Sequence, residues 1–90
     1  MEVEIIDISV AGETPQEILE ENTDRQSFSV TNIGPLNPAI VMLTSAPTNG
    51  MQVKYLRPGQ TIAYQDEDAT TAVTAVCVGG TLLRVEERVA

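Results

Sequence analysis

The sequence predicts an all-β fold, a small sandwich or barrel of six to seven strands. Short segments of alternating or β-branched apolar residues recur at roughly ten-residue spacing, which is typical of such folds. Turn residues separate them, as in Arg57-Pro58-Gly59-Gln60, where Pro and Gly suit the central positions of a type II turn. Phe28 and Val30 alternate with serine and threonine, which indicates a strand with one buried face.

The amino-terminal segment Glu2–Val10 is rich in β-branched residues and contains alternating acids, so we expect a strand. Ala11-Gly12 interrupts it. The next segment has two interpretations. Thr14, Pro15 and Glu17 match a capping box for a short helix over residues 15–21. Alternatively, residues 16–20 form a short strand, because so short a helix is not stable alone.

Downstream, the Pro/Gly-rich segment 33–38 excludes regular structure. The following segment 39–45 is apolar on both faces, which indicates a strand that is central in a sandwich or covered by a neighbouring subunit. Asn49-Gly50 is a hairpin signal, and Gly79-Gly80 is predicted as a two-residue hairpin loop. The later predicted strands are residues 26–32, 39–45, 51–56, 61–65, 70–78 and 81–89.

Ninety residues indicate one domain, 1–90. A chain this short has a marginal core and often gains stability from disulfides, metals or oligomerisation. Cys77 is the single cysteine, so an intrachain disulfide cannot form, and the absence of histidine argues against zinc. We therefore expect no metal site and a homo-oligomer.

The net charge of −8 is unevenly distributed. Residues 1–24 contain eight acids and no base, whereas residues 25–90 contain five acids and five bases. The chain is therefore predicted to have an acidic amino-terminal strand or arm (1–24) and a neutral sandwich body (25–90). It lacks the basic footprint of a nucleic-acid-binding protein, and an anionic membrane would repel it.

Neither a transmembrane run nor a basic signal-peptide region is present in the sequence, so we expect synthesis in a cytoplasm-like compartment and no membrane partner. Without histidine, the usual general base of enzymes is missing, and no enzymatic activity or cofactor is predicted.

Two motifs have a structural and a functional interpretation. Asp66-Glu67-Asp68 offers oxygen ligands for calcium, but it lacks the glycine and distal glutamate of a full calcium loop and also fits a solvated turn. Cys77 lies between valines, where a thiol usually fills a core.

Three sets of residues are candidates for contacts with other proteins. The amino-terminal strand could add to the edge of a neighbouring sheet. Exposed apolar patches usually mark interaction sites, so we expect the oligomer interface on the predicted strands 39–45 and 51–56. Arg25 fits either a partner carboxylate or a pair with an amino-terminal acid of its own chain. The candidates are Val3, Ile5, Ile6, Ile8 and Val10 in the arm, Ile40, Met42 and Met51 in the oligomer interface, and Arg25.

Three segments of the sequence resemble those of a known group of proteins. They are Ile-Leu-x-x-Asn-x-x-Arg-x-Ser-x-x-Val-x-Asn-x-Gly over residues 18–34, Leu-x-Pro-Gly-Gln over 56–60, and Leu-Arg-Val-Glu-Glu over 83–87. In this order, they resemble the small β-sandwich virion proteins of tailed bacteriophages, which include capsid decoration (cement) proteins and related head-fibre and tail modules. The resemblance spans most of the chain.

This resemblance implies a jelly-roll-like or immunoglobulin-like β-sandwich that forms a trimer or dimer. It further implies a capsid decoration protein that binds the phage major capsid protein on the outer surface of the virion and stabilises contacts between coat subunits. The protein would be made in the cytoplasm of the bacterial host. Many weak contacts on a lattice give high avidity. The alternatives are a head–tail or tail assembly subunit, and a receptor- or carbohydrate-binding module of a fibre.

Overall fold

The computed structural model describes residues 2–90 and contains six β-strands and one 3-10 turn, Asp66–Ala69. The all-β prediction is confirmed, and the strands form a small near-barrel sandwich. The strands are β1 (Glu2–Leu19), β2 (Arg25–Asn32), β3 (Ala39–Leu43), β4 (Val53–Leu56), β5 (Thr61–Gln65) and β6 (Val73–Val89).

Two long strands, β1 and β6, are shared by both layers of the sandwich. Along one side of β6, the first half pairs with β3 and the second half pairs with β2. Along the other side, both halves of β6 pair with β1. The first sheet has the order β4–β3–β6–β1, and the second sheet has the order β5–β2–β6–β1. All strand pairs are antiparallel.

The prediction of a hairpin at Gly79-Gly80 is wrong, because β6 runs through both glycines without reversing. Their φ angles of 90° and 85° lie in a region that glycine adopts without steric cost. This conformation allows a hairpin turn, but it also allows a strand to bend. Here it bends β6 where the strand passes from β3 in the first sheet to β2 in the second.

The segment with two interpretations is a strand, so the helix alternative is wrong. Gln16 pairs with Ala75, and Leu19 pairs with Val73. Ile18 and Leu19 are buried in the core. The sheet thus gives this segment backbone partners that a helix of two turns would have lacked. Residues 2–19 of the acidic amino-terminal quarter are therefore part of the sheets and do not form a separate arm.

The core lies between the two sheets and follows the alternation predicted for β2. Phe28 and Val30 are 2% and 0% exposed, and on β6 the buried Val85 lies opposite Val30. The ring of Phe28 stacks on Tyr64 with 5.4 Å between centroids. Such a pair adds about 0.5–1.5 kcal/mol beyond the burial of its area.

The predicted turn at Arg57–Gln60 is confirmed. The amide of Gln60 donates to the carbonyl of Arg57 at 3.0 Å, and Gly59 has a φ of 88°, as the third residue of a type II turn requires. The hairpin predicted around Asn49-Gly50 also forms, since β3 and β4 pair antiparallel on either side of it.

Candidate functional site

The first half of β1, Glu2–Val10, is an edge strand. It pairs with β6 along one side, and no strand of residues 2–90 pairs with its other side. An edge strand presents unpaired backbone donors and acceptors that can add another strand. Which residues present them follows from the hydrogen bonds of β6.

Successive residues of an antiparallel strand direct their N–H and C=O groups alternately to the two neighbouring strands. The carbonyl of Leu82 accepts a hydrogen bond from Ile33 on the β2 side, at 2.9 Å. The amide of Ala90 donates to the carbonyl of Asp24 on the same side, also at 2.9 Å. Even-numbered residues of this half of β6 therefore face β2, and odd-numbered residues face β1.

The β1 residues opposite those odd-numbered positions are Glu2, Glu4, Ile6 and Ile8, whose backbone groups therefore point to β6. Val3, Ile5, Asp7 and Ser9 alternate with them and point their backbone groups away from the sheet. The Ser9 carbonyl confirms this direction, because it accepts a hydrogen bond from the Gln16 side chain at 3.1 Å. The open edge is thus formed by the backbone groups of Val3, Ile5 and Asp7.

Apolar side chains flank this open edge on both faces of the strand. Val3 and Ile5 are 54% and 59% exposed on the outer face, and Ile6 is 40% exposed on the inner face. Ile8 packs against the core and Val10 is fully buried within it. Of the predicted arm contacts, Ile8 and Val10 are therefore core residues, and the prediction of a contact role is wrong for Val10.

An ion pair fixes β1 to β6 on the outer face beside the edge. The Nε and Nη2 atoms of Arg84 donate to the Asp7 carboxylate at 2.9 and 3.1 Å. This hydrogen bonding by the guanidinium holds the pKa of Asp7 below its usual value and raises that of Arg84. The pair neutralises one of the three acids on the first half of β1 and leaves Glu2 and Glu4.

A second exposed apolar surface lies on the outer face of the first sheet. Ile40 lies opposite Tyr55, and Met42 lies opposite Val53, so all four side chains share that face. Ile40 is 37% exposed, Met42 is half-buried, and Val53 and Tyr55 are 49% and 53% exposed. We call these four residues the β3–β4 patch.

The predicted oligomer residues are thus partly brought together. Ile40 and Met42 belong to the β3–β4 patch, whereas Met51 lies in the loop before β4, 62% exposed. The backbone carbonyl of Met51 accepts a hydrogen bond from the hydroxyl of Tyr64. Val53 and Tyr55 are not among the residues predicted for the interface. Their alternation with Gln52 and Lys54 is the signal in the sequence that could have placed them there.

Arg25 is not free to reach a partner, because its side chain is 2% exposed and its donors are used within the chain. Its Nε donates to Glu87 at 2.8 Å. Its terminal nitrogens donate to the backbone carbonyls of Glu20, Ala69 and Thr71. Arg25 does pair with an acid of its own chain, but that acid is Glu87 near the carboxyl end and not one of the amino-terminal acids.

The acidic segment 66–68 forms the 3-10 turn after β5. The Asp68 carboxylate accepts hydrogen bonds from the backbone amides of Thr48 and Asn49, at 2.6 and 3.0 Å. These bonds hold its pKa below the usual value. Asp68 therefore ties the β3–β4 loop to the end of β5. Among residues 2–90, no group of three or more His, Cys, Asp or Glu side chains is placed to hold a metal ion.

Cys77 is 1% exposed, as expected for a thiol that fills the core. Its sulfur donates to the backbone carbonyl of Pro38 at 3.1 Å. The thiol therefore packs the junction between β6 and the loop before β3.

Comparisons with known proteins extend the description of the fold. No protein-family model matches the chain, and no curated protein matches it. Among solved structures, it is similar to a chain from Bacillus endospore appendages, which are described as a novel family of disulfide-linked pili. The identity is 12%, the TM-score is 0.58, and the match covers 99% of this chain and 87% of the other.

At 12% identity, this likeness concerns the fold alone. In the part of the chain that the structure describes, no helix is long and apolar enough to cross a membrane.

Proposed function

We propose that this chain is a structural protein that joins a larger protein assembly through the open edge of β1. The observation that carries the proposal is the edge itself. The backbone groups of Val3, Ile5 and Asp7 point away from the sheet, and exposed apolar side chains stand on both faces of the strand. Strand addition uses those two features, since backbone hydrogen bonds give affinity and side-chain pockets give specificity.

The resemblance to small virion proteins of tailed bacteriophages favours a capsid decoration protein as the particular form of this function. In that role, the phage major capsid protein is the partner and the capsid surface is the location. The chemistry of β1 suits this role, because Glu2 and Glu4 would favour a basic surface beside the apolar contact. A tail component would instead be found in few copies at one end of the particle.

A subunit of a protein filament is a second candidate, and the likeness in fold to a chain of the endospore appendages favours it. The disulfide linkage named for those pili does not transfer to this chain in the folded state. Cys77 is its single cysteine, and the buried thiol cannot reach another molecule. Any filament of this chain would therefore depend on non-covalent contacts.

The experiment compares the binding of two variants to expanded phage heads that lack decoration, separated by sedimentation. Ile5→Asp places a charge at the centre of the open edge. Val78→Asp is the matched control, because Val78 is 67% exposed on β6 and lies away from that edge. We expect Ile5→Asp to weaken binding at least tenfold and Val78→Asp to leave it unchanged.

Equal binding of both variants and the unchanged chain would show that the β1 edge is not the contact. Point variants are preferable to removing residues 1–12, because Val10 is fully buried and its loss would unfold the sandwich. If no head binds any variant, the decoration form is wrong, and self-assembly remains as the test of the filament form.

A further inference from the structure

We propose that the open edge of β1 is occupied by β5 of a second copy of this chain. The contact is head-to-tail, so each copy offers β1 to one neighbour and β5 to another. The inference rests on the proposed function only in using β1 as the contact edge. It names a second copy, in place of a coat protein, as the partner at this edge, and it adds the surface with which that partner binds.

β5 is the edge strand at the opposite side of the same second sheet. It pairs with β2, and no strand of residues 2–90 pairs with its other side. The amide of Asn32 donates to the carbonyl of Gln60 at 3.0 Å, so even-numbered residues of β2 face β5. The residues of β5 opposite them are Ile62 and Tyr64. Thr61, Ala63 and Gln65 therefore direct their backbone groups outward.

The direction of the strands fits a neighbour in the same orientation. Because β1, β6, β2 and β5 are each antiparallel to the next, β1 and β5 run in opposite directions. A second copy placed beside the first without reversal brings its β1 antiparallel to β5. The second sheet then continues from copy to copy with the same kind of pairing that it has within one copy.

The faces of the two strands also match. On β1, Val3, Ile5 and Asp7 have free backbone groups, and their side chains lie on the outer face of the sheet. The exposed ion pair between Asp7 and Arg84 shows that this is the outer face. On β5, the corresponding residues are exposed, while Ile62 and Tyr64 are buried. Hydrogen-bonded residues of an antiparallel pair have side chains on the same face. The two outer faces and the two inner faces therefore coincide.

With Ile5 opposite Ala63, five residues of β1 pair with the five residues of β5. Val3 then lies opposite Gln65, and the half-exposed Ile6 lies opposite Ile62. This register covers the apolar side chains on both faces of β1 that one copy leaves exposed. No charged residue occurs in β5 from Thr61 to Gln65.

Charge selects this arrangement over the pairing of two β1 strands. A β1–β1 contact would bring Glu2 and Glu4 from both copies onto one pair of strands, in addition to the Asp7 carboxylates that Arg84 neutralises. Against β5 in this register, Glu4 and Asp7 lie opposite the neutral residues Tyr64 and Thr61, and only Glu2 lies opposite an acid, Asp66. Head-to-tail contacts either close into a ring or continue as a filament, depending on the rotation between copies. Both outcomes are larger than a dimer.

The test uses two variants that each block one edge, measured by sedimentation velocity. Ile5→Pro removes an outward amide of β1, and Ala63→Pro removes an outward amide of β5, so neither removes a hydrogen bond of the sheet itself. We expect the unchanged chain to associate beyond a dimer as its concentration rises, and each variant alone to stay at the 9.7 kDa of one copy. An equal mixture of the two variants should form a dimer of twice that mass, because one intact β1 meets one intact β5.

Ile5→Asp and Ala63→Asp form a second pair in case proline unfolds either chain, and Val78→Asp again controls for added charge. Two outcomes overturn the inference. One is a self-association that Ala63→Pro and Ala63→Asp leave intact. The other is an unchanged chain that stays at the mass of one copy at every concentration and salt tested. Neither outcome touches the proposed function, because β1 can still add to a different protein, as the head-binding experiment measures.

Discussion

At the scale of single residues, Arg25 connects several segments that are far apart in the sequence, because its side chain donates to four different residues. It joins the start of β2 to Glu87 near the end of β6, to the carbonyl of Glu20 just after β1, and to two carbonyls at the end of the 3-10 turn. No side-chain nitrogen or oxygen buried within residues 2–90 lacks a hydrogen-bond partner. Removing Arg25 would therefore leave several buried acceptors unpaired at once.

We predict that Arg25→Ala lowers the free energy of unfolding by roughly 3 kcal/mol, because the partly buried Glu87 carboxylate and two buried carbonyls lose their donor. Urea denaturation followed by circular dichroism measures this change. The control is Arg84→Ala, which removes an exposed ion pair and should shift the midpoint much less. Equal losses in the two variants would show that Arg25 does not have this structural role.

The carboxylate of Asp68 predicts a dependence of stability on pH. Because its pKa is lowered in the folded state, Asp68 stabilises the fold above its usual pKa of 3.8. That contribution is lost as the pH falls through the lower folded-state value. We predict that Asp68→Ala is less stable than the unchanged chain at pH near 7 and that this difference shrinks below pH 3.8.

Denaturation midpoints at several pH values measure the difference, with Glu67→Gln as the control, since the side chain of Glu67 is exposed. A difference that stays constant down to the lowest pH would contradict the role of the Asp68 hydrogen bonds.

The sequence predicted individual residues well where alternation decides their environment. Phe28 and Val30 are buried as expected. The partner of Arg25 was not predictable, since Glu87 lies 62 positions away and only the pairing of β2 with β6 brings it near. Local pattern contains no information on contacts at that separation.

At the scale of elements, the bend in β6 is the feature that makes a two-layer fold out of few strands. A β-carbon on Gly79 would lie 3.0 Å from the side-chain nitrogen of Asn37, which donates to the carbonyl of Gly80. Both glycines have positive φ angles. Substitution at either position therefore strains the backbone, and at Gly79 it also displaces Asn37.

We predict that Gly79→Ala and Gly80→Ala each lower the free energy of unfolding by about 1–3 kcal/mol, the usual cost of such a backbone conformation in other residues. Gly79→Ala should be the more damaging because of its contact with Asn37. Thermal denaturation measures the effect, with Val78→Ala as the control at an exposed neighbour. Wild-type stability of both glycine variants would mean that β6 does not need this bend.

The sequence predicted most strands but not the continuity of the two longest ones. The sequence predicts breaks at Gly12 and at the Gly79-Gly80 pair, because glycine usually marks the end of a strand. In β1 and β6, the same conformational freedom produces bends instead. Whether a glycine ends or bends a strand depends on the partners on each side, which local sequence does not specify.

At the scale of the whole molecule, apolar contact surfaces coexist with a net charge of −8. This charge opposes contact between copies, whereas the exposed edge and apolar side chains of β1 favour it. Added salt screens the repulsion, since the Debye length falls from about 10 Å at 0.1 M to about 3 Å at 1 M.

We predict that the average mass of the unchanged chain rises with salt at a fixed concentration, as measured by light scattering. Ile5→Pro and Ala63→Pro should show no such rise. A mass that falls with salt would mean that attraction between charges, rather than strand addition, holds the copies together.

The most direct measurement of the central claim is amide hydrogen exchange by NMR across residues 3–8 of β1. In a single copy, the amides of Val3, Ile5 and Asp7 should exchange rapidly, and those of Glu4, Ile6 and Ile8 should be protected by β6. In the assembly, the three rapid amides should become protected as well. Equal protection of all six amides in a single copy, or the reverse alternation, would contradict the open edge.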